Sequence, residues 1–356
     1  MKKSIILILT LLLVTAISLV SCENGSGLTN TTKTVRVIGT AVEKNKRSVS
    51  DDITIDSVDR IIVEGNDITD DLKPINPNVK PGDNNVEFRT KVVVSGETSF
   101  EAVAKKGYIF DSWDILDLDD DYVSEAYLDK IEDWLENNNL EHSEKIENVP
   151  AEYIPYLVAE YDNGFYIALN KTEATVGEGT KDSPFSVDEF INQAKTYNKD
   201  ELTLVISASN EAQFSKLINS LNTMKNLDEV KIKTAEGVSL STLPTITSEE
   251  ITLSGITFSG ELVIDNPNVE YEFENCSFNS LTIKNTNEIS IKGGKASVLT
   301  VHSGEELDIE YMEIGKLDLS NMTEGEVELK RVTYKEYIDQ RIRMWKLKSD
   351  KFKYIK

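Results

Sequence analysis

The sequence predicts a mainly β protein with some α-helix, in which a small β module precedes a short, three-sided parallel β-solenoid with helical caps. The first observation behind this prediction is a repeat. From residue 229 onward, short runs of alternating apolar and polar residues recur every 18 to 20 residues, three runs to a repeat, which is typical of solenoid coils. The second is an aromatic-rich β pattern over residues 86–161, and the third is a pair of amphipathic helical stretches before the first coil.

The chain begins with the pattern of an export signal. Lys2 and Lys3 precede an apolar run from Ile5 to Val20, which is short for a bilayer-spanning helix. The signal ends in Leu19, Val20, Ser21 and Cys22. These four residues resemble the lipobox of bacterial lipoproteins, a resemblance that implies removal of residues 1–21 and acylation of Cys22. Several acyl chains would then attach the protein to the membrane, which is its expected partner. The alternative interpretation of residues 1–21 is a membrane helix that is not cleaved.

Composition narrows the class of partner. The formal net charge is −24, and loss of residues 1–21 removes two lysines and no acid, so the exported chain carries −26. Such a charge repels phosphate backbones and disfavours nucleic acid, while cations and basic surfaces stay open as partners. Cys276 is the other cysteine, so once Cys22 is acylated no intramolecular disulfide can form and packing must supply the stability.

Two segments separate the anchor from the first module. Residues 22–34 are rich in Gly, Asn, Ser and Thr, which predicts a flexible tether. Residues 35–85 predict a short β segment, with strands at Val35–Ile38 and Ile53–Val63, followed by a proline-containing linker. The linker prolines are Pro74, Pro77 and Pro81.

Residues 86–170 carry the aromatic-rich β pattern. It includes the runs Val86–Phe88, Lys91–Val94 and Phe100–Ala104, then Gly107-Tyr108-Ile109-Phe110-Asp111-Ser112-Trp113, and later Tyr156–Tyr161. These residues resemble the Listeria–Bacteroides repeat of bacterial surface proteins, which implies a β-grasp-like module with Trp113 in its core. The chain departs from the short form of that repeat by an insert, residues 114–148. Apolar residues recur there at helical spacing, so the insert predicts one amphipathic helix.

The solenoid is predicted over residues 179–334. Its opening, Gly179–Phe185, is similar to the opening of many parallel β-helix proteins. A capping box at Ser186–Glu189 begins one helix, a strand follows at Leu202–Ile206, and a second helix begins near Asn210. These helices are expected to cap the first coil.

Three apolar columns define the coils. The first runs through Leu262, Leu281, Leu299 and Leu317, each followed two residues later by Ile264, Ile283, Val301 and Leu319; the second through Ile251, Tyr271, Ile289, Leu307 and Val327; the third through Phe258, Phe278, Ala296, Ile314 and Tyr334. Asn266, Asn285, Ser303 and Asn321 fall in register after the first column. We expect these residues to form a structural corner in the left-handed backbone conformation, with a ligand-binding Asn groove as the alternative.

Residues 335–356 predict a basic C-terminal helix or cap. Ile338, Ile342 and Trp345 share a helical face, and eight Lys or Arg against three acids give the segment a net charge of +5. Docking onto the acidic body is one interpretation, and binding to anionic lipid or to a partner is the other.

A search for chemistry finds no catalytic, cofactor-binding or metal site. His142 and His302 lack neighbours at metal-ligand spacing, and Cys276 lacks a nearby histidine, so all three predict structural or surface roles. Asp117, Asp119 and Asp121 alternate as in a calcium loop, but Tyr122 replaces the turn glycine of that motif. Outward solenoid positions show no convergent set of carboxylates for glycoside cleavage.

The sequence therefore favours a non-catalytic, lipid-anchored cell-envelope protein with an adhesion, binding or scaffolding role. A protein or a glycan is the expected ligand, no cofactor is expected, and the outer membrane or cell surface is favoured over the inner membrane. The alternative is a polysaccharide-binding or polysaccharide-cleaving protein that uses the solenoid face.

Overall fold

The computed structural model describes residues 30–39, 41–43, 53–55, 58–81, 83, 86–115, 124–138, 140, 143–171, 176–234, 237–284, 287–302, 306–322, 326–338, 347–349 and 353–354. Within these residues the chain is mainly β with three short α-helices, and its C-terminal region is a parallel β-solenoid of about five turns. The predicted fold class is confirmed. We call residues 30–168 the N-terminal module and residues 201–354 the solenoid.

The N-terminal module divides most of its strands between two sheets. Its elements are β1 (Asn30–Gly39), β2 (Ala41–Glu43), β3 (Ile53–Ile55), β4 (Val58–Val63), β5 (Asn66–Asp67), β6 (Lys73–Pro74), β7 (Val86–Ser95), β8 (Thr98–Ala104), β9 (Tyr108–Ile115), α1 (Glu125–Asn137), β10 (Lys145–Val149) and β11 (Leu157–Ala168). One sheet has the order β6-β7-β1-β11 with β9 also on β11, and the other has the order β10-β8-β4-β5. Strands β2 and β3 form a separate pair.

An aromatic cluster holds the two sheets together. Trp113 is 3% exposed, its ring centroid lies 5.5 Å from that of Phe110 and 6.1 Å from that of Phe100, and its Nε1 donates to the Ser143 carbonyl at 2.8 Å. Helix α1 buries Ile131 against this core. The predicted core position of Trp113 and the predicted helix in the insert are thus confirmed, whereas strand β10 at the end of the insert was not predicted.

The predicted boundaries of this module were wrong. Strand β1 begins at Asn30, inside the predicted tether, and pairs antiparallel with β7 over the whole length of both strands. Strand β4 pairs with β8, so residues 58–63 belong to the module rather than to a segment before it. The pairing partners of β1 and β4 are distant in sequence, and a local pattern of alternation carries no information about them.

Strand β11 is shared by the two regions. Its first half pairs with β9 and with β1, and its second half pairs parallel with the first solenoid strand from Gly164 onward. At Gly164 a Cβ atom would lie 2.1 Å from the Thr203 carbonyl oxygen, so the close approach needs glycine. The module and the solenoid consequently form one continuous 13-stranded sheet.

The solenoid consists of two parallel strand stacks. Its strands are β12 (Glu201–Ser207), β13 (Glu229–Thr234), β14 (Ser239–Leu240), β15 (Glu250–Ser254), β16 (Thr257–Ile264), β17 (Glu270–Glu274), β18 (Ser277–Ile283), β19 (Glu288–Lys292), β20 (Lys295–Val301), β21 (Glu306–Glu310), β22 (Glu313–Asp318), β23 (Glu326–Lys330), β24 (Thr333–Ile338), β25 (Leu347–Ser349) and β26 (Lys353–Tyr354). Strand β12 and the odd-numbered strands from β13 form the first stack, and the even-numbered strands from β14 form the second. The β16–β18 pairing has a register shift between Phe258 and Glu261, so the second stack is irregular at that point.

All three predicted columns are confirmed by strand register. Leu281 lies opposite Leu262 and Leu299, and Tyr271 lies opposite Ile251 and Ile289. In the third column the Phe258 and Phe278 rings are stacked, with centroids 5.7 Å apart and planes 6° apart. Apolar side chains at these positions fill the interior continuously, which is how neighbouring coils stabilise one another.

The left-handed corner lies at a different turn from the predicted one. Gly255, Asn275, Gly293, Tyr311 and Arg331 have positive φ and fall in register between the two stacks. The N–H groups of the first four donate to carbonyls of the next coil, as from Asn275 to Lys292. Asn266 and Asn321 lack positive φ, but Asn266 does bond the previous coil through Nδ2 and the Ile246 carbonyl at 3.2 Å. Asn285 and Ser303 lie outside the described residues.

Helices cover the first coil as predicted. Helices α2 (Val187–Ala194) and α3 (Glu211–Leu221) bury Phe190 and Phe214 in the solenoid core. The capping box is confirmed, because the Glu189 N–H donates to Ser186 Oγ at 3.2 Å and the Ser186 N–H donates to Glu189 Oε2 at 2.6 Å.

The predicted C-terminal helix is wrong for the residues described in that segment. Residues 335–338 are part of β24, β25 pairs parallel with β23, and β26 pairs parallel with β24. Leu347 lies opposite Val327, so the tail continues the second apolar column as a further partial coil. Ile342 and Trp345 lie outside the described residues.

Candidate functional site

The lipidation site predicted from the sequence lies outside the described residues. Cys22 and the residues before it, Leu19, Val20 and Ser21, lie outside the described residues, as do His142 and the aspartates at 117, 119 and 121. His302 is described and is half-buried at the end of β20, where its N–H donates to the Ile283 carbonyl.

Cys276 packs in the solenoid interior. Its Sγ donates to the Leu253 carbonyl at 3.1 Å, and burial raises the pKa of the thiol to about 12. A thiol with that pKa is almost wholly protonated at neutral pH and is a poor nucleophile. The prediction that Cys276 packs in the core is confirmed by its burial.

One candidate site is a cleft lined by residues of both the N-terminal module and the solenoid, which we call the junction cleft. Its volume is about 590 Å³. The floor consists of side chains near the C-terminal ends of β11, β12, β13, β15 and β17, and the sides come from β9, from residues 143–144 and from residues 181–184. Its lining residues are Ile109, Phe110, Asp111, Ser143, Glu144, Tyr166, Lys181, Pro184, Val205, Ser207, Lys233, Thr234, Ser254 and Glu274.

An ion-pair cluster stands on one side of the cleft and joins the two regions. Asp111 on β9 contacts two lysines of β13: Lys233, and Lys231 with its Nζ 3.2 Å from Asp111 Oδ1. Burial alone would raise the pKa of Asp111, but the two ammonium groups outweigh it and hold that pKa at about 2. Asp111 is therefore ionised at neutral pH and fixed in orientation.

A second polar cluster also lines the cleft. Tyr166 Oη donates to Glu144 Oε1 at 2.9 Å, and Lys181 Nζ lies 2.5 Å from Glu144 Oε2. Burial raises the pKa of Tyr166, and the Glu144 carboxylate raises it further. The phenol is thus a hydrogen-bond donor rather than an acid in this site.

Two more carboxylates lie behind the first cluster. Burial raises the pKa of Asp162, and the charge of Asp111 raises it further, although Asp162 accepts a hydrogen bond from Thr203 Oγ1 at 2.8 Å. Burial also raises the pKa of Glu160, with Asp114 and Asp111 adding to the effect. Neither carboxylate lines the cleft.

The outer face of the first stack carries a column of glutamates. These are Glu201, Glu229, Glu250, Glu270, Glu288 and Glu306, each the first residue of its strand. Burial and neighbouring glutamates raise the pKa values of Glu229, Glu250 and Glu288. We call this set the glutamate column.

The sequence contained a signal for the glutamate column but not for the junction cleft. A glutamate directly precedes each member of the second apolar column, from Ile251 to Val327. Asp111 and Lys233, by contrast, share no motif and meet because β9 and β13 flank the shared β11–β12 sheet. No local pattern could have paired them.

Other classes of site were sought in the described part of the chain. No group of three or more His, Cys, Asp or Glu side chains there is arranged to hold a metal ion. No described helix is both long and apolar enough to cross a membrane. Comparison of the chain with known protein families, with curated proteins and with solved structures gives no significant match.

Proposed function

We propose that this protein is a non-catalytic, lipid-anchored protein of the cell envelope that binds a ligand in the junction cleft. Acylated Cys22 would hold it at the outer membrane or cell surface, and the tether would separate the N-terminal module from the bilayer. The lipobox supports the anchor. The solenoid, whose outward strand positions are largely polar, supports an adhesive or scaffolding role.

The state of the charged groups in the cleft carries the proposal of binding without catalysis. Asp111, with a pKa of about 2, is a weak base, and Glu144 is occupied by Tyr166 and Lys181. General acid–base catalysis works best with groups whose pKa values lie near the working pH. Side chains locked in mutual ion pairs instead offer fixed hydrogen-bonding groups to a bound ligand.

One observation favours the polysaccharide-cleaving alternative. Asp111 and Asp162 are neighbouring carboxylates whose pKa values are displaced in opposite directions, which is the relation found between the acid and the base of glycosidases. Asp162 does not line the cleft, however, and its carboxylate already accepts from Thr203. Release of reducing sugar from polysaccharides by the purified protein would establish this alternative and contradict the first.

The anchor is tested by the Cys22→Ala variant in cells fed a fatty-acid analogue. We expect the variant to stay an unlabelled, uncleaved precursor, because no other residue supplies a thiol at that position. Cys276→Ala is the matched control and should be labelled like the wild type. Label that persists in Cys22→Ala would contradict the lipobox interpretation, and surface proteolysis of intact cells would then report which side of the membrane the protein faces.

A further inference from the structure

Charge in the junction cleft is nearly balanced, in contrast to the rest of this acidic chain. Asp111 is neutralised by two lysines, and Glu144 is paired with Lys181. Among the described residues that line the cleft, Glu274 is the one carboxylate outside an ion pair. A strongly ionic ligand would have to break these pairs or bury an unpaired charge, and both cost free energy. The balance therefore favours a neutral ligand.

The same surface alternates apolar patches with hydroxyl groups. Pro184 and Val205 present aliphatic carbon to the cleft, while Ser207 and Ser254 place hydroxyls on its floor. A ligand that fits this lining has apolar C–H surfaces and many hydroxyl groups. Because the ion pairs hold the polar side chains in place, little side-chain entropy is lost when such a ligand binds.

We infer that the junction cleft binds a neutral oligosaccharide, and this inference rests on the binding function proposed above. The cleft volume of about 590 Å³ lies within the range typical of small-molecule sites, and it would hold about two or three sugar rings. The Asp111–Lys233 and Glu144–Lys181 pairs flank the sugar and exchange hydrogen bonds with its hydroxyls. Carbon faces of the rings lie against Val205 and Pro184.

The test uses the full-length protein in detergent on three trisaccharide classes. The probes are neutral trisaccharides, including N-acetylchitotriose and cellotriose, the anionic trigalacturonate, and the cationic chitosan trimer, which shares its backbone with N-acetylchitotriose. Titration calorimetry should show saturable binding of at least one neutral trisaccharide and binding at least about tenfold weaker for both charged classes. Sugar binding by the detergent-solubilised protein does not require acylation of Cys22. The measurement therefore tests the cleft hypothesis independently of the lipid-anchor hypothesis.

Two variants that fill the cleft locate the site. Ser254→Trp on β15 and Ser207→Trp on β12 should each weaken binding by at least about tenfold. Ser290→Trp is the matched control, since Ser290 occupies an outward position of β19 on the same sheet face but does not line the cleft. Thermal unfolding of each variant checks that the fold is kept. The inference is overturned if no neutral trisaccharide binds, if a charged class binds as tightly, or if Ser290→Trp weakens binding as much as the cleft variants do.

Discussion

The N-terminal module and the solenoid share strand β11 but are stabilised in different ways. In the solenoid each strand lies beside the strand that precedes or follows it by one coil, so contacts are 18 to 20 residues apart along the sequence. In the module Val37 on β1 lies opposite Phe88, and Arg36 lies opposite Val158. A destabilising substitution in one coil should therefore unfold neighbouring coils along the stack. A destabilising substitution in the module should instead weaken its whole core, because that core is built from contacts between residues distant in sequence.

The largest expected effect comes from a charge in the solenoid interior. Val301 is 1% exposed and lies opposite Ile283, so Val301→Asp would bury an unpaired carboxylate at a cost of about 5 kcal/mol or more. We expect limited proteolysis to remove the fragment from about residue 230 to 334 while residues 30–168 stay protected. Val298→Asp, at an outward position beside Lys316, should leave the fragment intact. Loss of both regions together would mean that the shared strand makes them one cooperative unit.

The matching test of the module is Trp113→Ala. Removing this buried ring should lower the free energy of unfolding of the module by about 3–5 kcal/mol, through lost burial and the cavity left beside Phe110 and Phe100. Trp113→Phe keeps a ring and loses the hydrogen bond to Ser143, so it should cost less. Urea unfolding followed by tryptophan-independent circular dichroism measures both. A solenoid transition that shifts as much as the module transition would argue against separate cores.

A smaller effect is expected at two further glycines with positive φ in turns between the two solenoid stacks. Gly294 has φ +79°, and a Cβ there would lie 2.0 Å from the Cys276 carbonyl oxygen. Gly237 has φ +83°, but a Cβ there meets no atom within 4 Å. Gly237→Ala should lower the free energy of unfolding by about 1–2 kcal/mol through conformational strain alone. Gly294→Ala should lower it by at least about 1 kcal/mol more, because the neighbouring coil must also shift. Equal midpoints of urea unfolding would show that the coils move apart freely.

These positions also show which parts of the fold the sequence could predict. The three apolar columns could be predicted because every coil requires an apolar side chain at the same inward positions, as from Leu262 to Leu317 in the first column. The corner was assigned to the Asn266 turn because Asn favours left-handed backbone, while the true corner holds Tyr311 and Arg331, residue types that give no such signal. Strain at these bulky residues is imposed by the coils on either side.

Long-range pairing limited the prediction of the module and of the candidate site. The strand character of Val35–Ile38 was visible, but its pairing with β7 and β11 was not, so the module was started too late in the chain. The junction cleft depends on the same pairing, because β9 reaches Lys231 and Lys233 only across β11 and β12. For residues outside a repeat, no local sequence pattern identifies the strand with which they will pair.

The smallest expected effect is the dependence of stability on pH. Asp111 and Glu189 have pKa values of about 2 in the folded protein, against 3.8 and 4.5 as ordinary values. The stability they contribute is complete above the ordinary values and is lost as pH falls from about 4 toward 2. In the glutamate column the pKa values of Glu229, Glu250 and Glu288 are raised, so the folded state binds protons more tightly than the unfolded chain. Stability must then fall as pH rises above 4.5.

The melting temperature should therefore rise modestly between pH 7 and about 5 and drop steeply below about 4. In terms of the free energy of unfolding, the rise should be about 1 kcal/mol or less, because these glutamates are partly exposed and solvent screens their repulsion. Glu250→Gln with Glu288→Gln should reduce the rise, the remainder of which comes from Glu229, Asp162 and Glu160. The acid drop should stay unchanged, since it belongs to Asp111 and Glu189. High salt should flatten the rise in the wild type as well. A wild-type melting temperature that falls steadily from pH 7 downward would show that the glutamate column does not destabilise the neutral-pH solenoid, and that repulsion between stacked coils is relieved in another way.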